Sequence, residues 1–164
     1  MQRPLILIFM GVTGTGKTTL AKLFAEKTGA VFYEGDDFHS PANIAKMKEG
    51  IPLNDEDREG WLRALREAIV KSLAKNELAA MTCSALKEKY RAQLQAGDER
   101  VQFVYLTGPQ QLIADRLKNR TGHFMPPALL DSQFAILEPP ADALTFSVEK
   151  SPEEIVEELI EALA

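Results

Sequence analysis

The sequence predicts an α/β fold in which a mostly parallel sheet carries helices on both faces. Three observations predict it. Leu5-Ile6-Leu7-Ile8-Phe9-Met10 is continuously apolar and stops at a glycine, the pattern of a strand buried on both faces, whereas a half-exposed strand would alternate. Gly11 to Thr18 follows as G-x-x-x-x-G-K-[ST] between that strand and a helical stretch. Short apolar runs then keep alternating with segments of helical period to the C-terminus.

Lys17 to Thr28 carries Leu20, Leu23 and Phe24 on one helical face, and Gly29 is a natural C-terminal stop. Ala30 to Tyr33 reads as a second, short strand. Glu34 to Asp57 is polar, weakly periodic and rich in Gly, Pro, Asn and Asp, and so long an irregular stretch is usually functional. A helix is expected from about Arg58 to Lys75, where Leu62, Leu65, Ile69 and Leu73 recur three or four apart. Leu78 to Cys83 and Val101 to Thr107 are the next strands, with a short helix over Gln110 to Asn119. Thr121 to Pro140 holds four of the nine prolines and reads as an excursion with one helical piece near Ala128 to Phe134. Leu144 to Val148 is the last strand expected. Ser151-Pro152-Glu153-Glu154 then supplies an N-cap, a proline at the first helical position and a glutamate at the third, opening a helix with Ile155, Val156, Leu159, Ile160 and Leu163 inward.

A chain of 164 residues is one domain, able to bury about 70% of its unfolded surface without disulfides or metals. Its 45% apolar and 26% charged residues are those of an ordinary globular protein. The net charge of −5 argues against nucleic acid or an anionic membrane as partner, so an anionic ligand needs a local basic pocket. Cys83 is the single cysteine and is expected to be structural. No apolar run approaches the roughly 20 residues of a membrane span, and the six apolar residues before Gly11 are too few for a signal-peptide core. The expected compartment is the cytoplasm.

The glycines of Gly11-Val12-Thr13-Gly14-Thr15-Gly16-Lys17-Thr18 let backbone N–H groups turn around a phosphate, and the following helix N-terminus adds its positive end. Lys17 supplies a full charge to the β and γ phosphates, the Thr18 hydroxyl a ligand to magnesium, and Thr19 a cap or a packing contact. ATP or GTP binding follows. A guanine-reading Asn-Lys-x-Asp is absent, and Asp57-Arg58-Glu59-Gly60, which matches the D-x-x-G of GTPases, lacks an apolar strand before it. The run Leu78 to Met81 leads into Thr82-Cys83-Ser84 rather than an acid. The acidic residue of the site is therefore sought in Asp36 and Asp37, just past the second strand, since a parallel sheet brings neighbouring strand ends to one crevice.

The blocks Gly35-Asp36-Asp37-Phe38-His39, Asn43 to Met47, Gly50 to Arg58 with Trp61-Leu62, and Cys83 to Lys87 with Tyr90-Arg91 closely resemble the gluconokinases. Arg116, Arg120, Gly122-His123-Phe124-Met125, Ser132-Gln133-Phe134 and Leu137-Glu138-Pro139-Pro140 continue the resemblance over nearly the whole chain. Departures are mild: threonines at 13, 15 and 18 where serines are frequent, Gln95 where Arg is frequent, and Ser40 between His39 and Pro41. The resemblance implies ATP-dependent phosphorylation of D-gluconate to 6-phosphogluconate, with magnesium brought by ATP. It also implies a P-loop three-layer α/β/α fold similar to shikimate and nucleoside-monophosphate kinases. That fold has a five-stranded parallel sheet, a substrate-binding helical segment at about 35–75 and a mobile lid at about 121–140. A homodimer is also suggested.

Phosphoryl transfer asks the protein mainly to position groups and neutralise charge. Asp36 is expected to orient or deprotonate the 6-hydroxyl, or to hold magnesium through water, against the alternative of a simple turn cap. His39 is expected on gluconate. Arg58, at the expected helix start, is disfavoured by the helix dipole and is assigned to the substrate, against a surface pairing with Asp55 or Glu59. Lys87 and Arg91, four apart, are expected to supply positive field for an acid sugar. By the resemblance, Arg116 lies along the nucleotide and Arg120 reaches the transferring phosphoryl group, with His123 and Gln133 as lid contacts. The two histidines have no metal-ligand spacing, so zinc is not expected.

Overall fold

The computed structural model describes residues 2–119 and 127–164. Five strands, β1 (Leu5–Met10), β2 (Val31–Tyr33), β3 (Leu78–Thr82), β4 (Val101–Thr107) and β5 (Leu144–Ser147), form one sheet in the order β2-β3-β1-β4-β5. All neighbouring strands run parallel. Seven α-helices flank them among the described residues: α1 (Lys17–Thr28), α2 (Pro41–Lys48), α3 (Asp55–Ala74), α4 (Glu88–Gln95), α5 (Gln110–Lys118), α6 (Pro127–Ile136) and α7 (Pro152–Leu163).

The central strand explains the layers. Every residue of β1 is buried, and its side chains alternate between two cores. Leu5, Leu7 and Phe9 join Leu20, Ala21 and Phe24 of α1 and Ile155, Val156 and Leu159 of α7. Ile6, Ile8 and Met10 face Trp61, Leu62, Leu65 and Ile69 of α3 and Tyr90 and Leu94 of α4. The connection after β1 runs to the β2 side while that after β3 crosses to β4, so the direction reverses between β1 and β3, and the crevice beyond their C-terminal ends is the natural ligand site of an open parallel sheet.

Several boundaries differ from the sequence expectation, each for a local reason. The stretch 34–57 contains a short 3-10 helix, Gly35–Phe38, and then α2. Ser40 caps α2 by accepting from the Asn43 N–H at 3.1 Å, with Pro41 just inside. Its outward Ile44 is 39% exposed, which is why no apolar period marks this helix. α3 begins at Asp55 rather than Arg58, because Asn54 and Asp57 form a reciprocal capping box, each accepting the other's backbone N–H at 2.8 and 3.0 Å. Arg58 is therefore a turn inside the helix, and Asp57-Arg58-Glu59-Gly60 is helical. α6 runs longer than expected and is docked, with Leu130 in the core under β1. The part of the expected lid at 121–126 lies outside the described residues.

Candidate active site

The phosphate loop leaves β1 at Gly11, whose φ of 147° and whose place 2.7 Å from the Leu106 carbonyl oxygen, measured from an added Cβ, exclude a side chain. The Thr15 hydroxyl donates to the Val12 carbonyl at 2.9 Å, and Lys17 Nζ donates to the Gly11 and Val12 carbonyls, both at 3.0 Å. Gly16 stands at the N-cap of α1 with φ 88° and no capping side chain, and the first turn of α1 has no acid. The helix thus presents its first-turn N–H groups and its positive end to an anion. Thr19 is exposed in that first turn.

Beside the loop stands an acid that sequence reasoning missed. The Thr18 hydroxyl donates to Glu34 Oε2 at 2.7 Å, and the Thr82 hydroxyl donates to Glu34 Oε1 at 2.6 Å. Thr82 Oγ1 in turn accepts the Gly35 N–H at 2.9 Å. Glu34 directly follows β2 and Thr82 ends β3, so the parallel pairing of these strands carries the carboxylate to the start of α1. Its only signal in the chain is its place directly after an apolar run.

Asp36 follows on the 3-10 helix. Its side chain is 71% exposed; its carboxyl pKa is raised, first by desolvation from the surrounding protein, against the Lys17 charge that lowers it, with Glu34 and Asp37 adding to the rise. A carboxylate of raised basicity near Lys17 is suited to accept a proton.

His39 is buried, stacked on Trp61 with centroids 4.1 Å apart and planes 15° apart. Trp61 is fixed by donating from Nε1 to the Gly35 carbonyl at 2.8 Å. Burial, then the Arg58 charge, lowers the His39 pKa from 6.5 to about 4. The unfolded chain therefore binds a proton here between those values while the folded chain does not. The folded state is disfavoured progressively as pH falls from about 6.5 toward 4, by up to about 3 kcal/mol. Thermal melts of the wild type and His39→Gln at pH 7 and pH 5 check this. The wild type is expected to lose more stability than the variant, and equal losses would refute the buried neutral imidazole.

Arg58 is buried and donates from one Nη to the Leu53 carbonyl at 2.6 Å and to the Tyr90 hydroxyl at 3.1 Å, its guanidinium 5.3 Å from the Tyr90 ring centroid. It does not make the surface pairing with Asp55. That carboxylate is held by Lys89, Tyr90 and Lys87, the last at 3.2 Å, and these bonds keep its pKa below the usual range. Arg58 and Lys87 therefore converge on the Tyr90 ring. Lys87 is the N-cap of α4 and Arg91 lies one turn inside it. Arg91 is buried and donates at 2.7 Å to the carbonyls of Ala85 and Glu138, bracing the loop after β3 against the end of α6.

On the opposite side, Arg116 donates to the Val148 carbonyl at 2.6 Å. Gln133 of α6 is brought to the phosphate loop itself, where its Oε1 accepts the Thr13 N–H at 2.6 Å. Arg120 and His123 lie outside the described residues. Cys83 is buried and its thiol pKa is pushed up to about 12, chiefly by desolvation, which suits packing rather than nucleophilic chemistry. Among the described residues no helix is long and apolar enough to cross a membrane.

Comparison with known proteins decides the family. The Shikimate kinase family model matches residues 13–164. A gluconokinase of Gluconobacter oxydans (strain 621H) is 45% identical over 161 residues, 96% of this chain and 90% of that protein. This chain belongs to the gluconokinase family. A gluconokinase structure from Sinorhizobium meliloti 1021 superposes with a TM-score of 0.88 at 41% identity, covering 99% of this chain and 93% of that one. The same fold extends to an APS kinase of Mycobacterium tuberculosis, with a TM-score of 0.75 at 21% identity. For a gluconokinase-family chain, the five-stranded parallel sheet and the loop between β1 and α1 agree with the sequence expectation.

Proposed function

We propose that this chain transfers the γ-phosphoryl group of ATP to the 6-hydroxyl of D-gluconate, giving 6-phospho-D-gluconate and ADP by direct in-line transfer. The observation that carries the reading is the meeting of the Lys17–Thr18 phosphate loop with Asp36 in one crevice, on a chain 45% identical to a gluconokinase. The loop amides and Lys17 hold the phosphates, and Lys17 balances charge spread over the transferring group. Asp36 accepts the hydroxyl proton, and its raised pKa brings it closer to that task.

Magnesium fits the oxygen donors present. Thr18 would hold it, with Glu34 2.7 Å behind the hydroxyl as the acidic partner. When bound, the ion supplies charge neutralisation at the phosphates.

His39 is assigned to the substrate, and Arg58 and Lys87 form a positive end suited to an acid sugar's carboxylate. Arg91, tied to two carbonyls, supports that end from behind. Gly11, Thr13, Gly14, Thr15, Gly16, Thr19 and Arg116 are assigned to the nucleotide, Arg120 to the phosphoryl group, and His123 and Gln133 to the closing segment. A cytoplasmic homodimer is the setting proposed.

The test is ADP release by the purified protein with Mg-ATP and, separately, D-gluconate, shikimate, glucose and a nucleoside, with the product identified by mass and NMR. Stimulation by gluconate with a 6-phosphorylated product is expected. Stimulation only by another acceptor would overturn the substrate and keep the kinase.

A further inference from the structure

Two hydrogen bonds of one side chain determine the protonation pattern of His39. Asn43, on α2, is buried and its Nδ2 lies 2.8 Å from the Asp57 backbone carbonyl oxygen. A carbonyl can only accept, so the amide nitrogen, not the amide oxygen, faces it. The same Nδ2 lies 3.2 Å from His39 Nδ1. An amide nitrogen carries two hydrogens and no usable lone pair, so with one hydrogen on Asp57 the other points at Nδ1. Nδ1 must present its lone pair, and the ring proton belongs on Nε2. A doubly protonated ring would set N–H against N–H here, with the Arg58 charge also opposing it.

The Nε2 edge faces the crevice. It lies 3.8 Å from Asp36 Oδ1, beyond hydrogen-bond distance. At that separation a single ligand oxygen can sit within hydrogen-bond reach of both atoms. A hydroxyl suits the pair in a way a carboxylate oxygen does not, since it accepts from Nε2–H while donating to Asp36. The ring cannot swing away, being stacked on Trp61, which is itself tied to Gly35. Asn43 is held independently of any ligand, because α2 is fastened to α3 both by its bond to Asp57 and by the Lys46 ammonium, 2.9 Å from each Asp57 carboxylate oxygen.

We infer that Asn43 is a positioning residue that locks His39 as the neutral Nε2–H tautomer, and that His39 and Asp36 together read one hydroxyl of the acceptor. The inference rests on the phosphotransfer reading for its substrate, but the tautomer stands on the protein's own geometry. Asn43 touches no substrate; it acts through His39. The acceptor group that the His39–Asp36 pair selects is a hydroxyl.

Nitrogen-15 imidazole NMR of the full chain tests the tautomer directly. The chain has two histidines, so the signals missing from His39→Gln are those of His39. A protonated Nε2 and bare Nδ1 at pH 7 are expected. An Nδ1–H tautomer or an imidazolium would overturn the inference without touching the kinase assignment.

The kinetic arm uses Asn43→Leu, His39→Gln and the double variant. Asn43→Leu is expected to raise KM for D-gluconate about tenfold, the effect of one misdirected hydrogen bond, with KM for ATP unchanged. In the His39→Gln background, where the side-chain amide supplies the donor and no tautomer needs locking, Asn43→Leu is expected to cost less than twofold. An equal cost in both backgrounds, or equal rises in both KM values, would make Asn43 merely structural and overturn the inference. If Asn43→Leu fails to fold, the wild-type NMR result still decides. Should the wild type phosphorylate no gluconate, the functional reading fails while the tautomer is judged on its spectrum.

Discussion

Lys17→Ala is expected to lower turnover with Mg-ATP and D-gluconate by about three orders of magnitude while the chain stays folded. An ammonium about 4 Å from a phosphoryl oxygen is worth ~4 kcal/mol at an effective dielectric near 20, and that loss at the transition state corresponds to roughly a thousandfold in rate. The fold should survive because Lys17 is only half-buried and donates to two loop carbonyls at the crevice, Gly11 and Val12, which water can reach once the side chain is gone. The core beneath, Phe9, Leu20 and Phe24, is untouched. Initial rates at saturating substrates and a thermal melt are the measurements. A variant that keeps most of its turnover would show that the loop's charge plays no part in transfer and would sink the phosphate-loop mechanism.

Gly35→Ala should be the most damaging small substitution for the scaffold. A Cβ at residue 35 would fall inside the Thr82 carbonyl oxygen and 2.9 Å from its carbon. Both are backbone atoms of β3, so no rotamer change relieves the overlap, and the end of β2 must move away from its neighbour. The movement breaks the Gly35 N–H bond to Thr82 and the Trp61 bond to the Gly35 carbonyl. It also pulls Glu34 from Thr18 and Thr82. A loss of about 3 kcal/mol or more, a fall in Tm of roughly 6–12 °C for a domain of this size, is expected. Activity should fall as well, since Glu34 and Asp36 flank the displaced residue. Gly60→Ala gives the opposite sign. Gly60 lies inside α3, where an added Cβ meets only the far end of the Arg63 side chain at 3.9 Å, and alanine favours a helix by about 0.5–1 kcal/mol. Melting of the two variants side by side checks both claims, and a Gly35→Ala protein as stable as the wild type would refute the close approach of β2 and β3.

Where a signal is local, the sequence was enough. The buried strand, the glycine loop and the helix Lys17–Thr28 fall where the pattern places them, because period, glycine and stop are all written within a dozen neighbouring residues. The cap at Ser151 with Pro152 was legible for the same reason. The same Ser-Pro signal opens α2 at Ser40 and Pro41, but no apolar period follows it. A helix of eight residues with an exposed Ile44 has too little apolar face to show a period. The start of α3 is masked in the sequence because three acids in its first turn, Asp55, Glu56 and Asp57, look like loop chemistry until the capping role of Asp57 is seen.

By itself the sequence determined the fold class and the phosphate loop with Lys17 and Thr18, since each follows from residue types in short continuous segments. Only the tertiary structure decided which groups meet across the chain. Glu34 reaches Thr18 because β2 pairs with β3 and β3 with β1. Arg91 becomes a brace because residues 85 and 138 fold to its two sides. Gln133 finds the Thr13 amide across 120 residues of chain. His39 carries its proton on Nε2 because Asn43 is itself directed by a carbonyl of α3. Hydrogen bonds and charge act through a few ångströms of space, whereas sequence patterns report only neighbours along the chain, so long-range partners appear when strand order and helix docking bring them together.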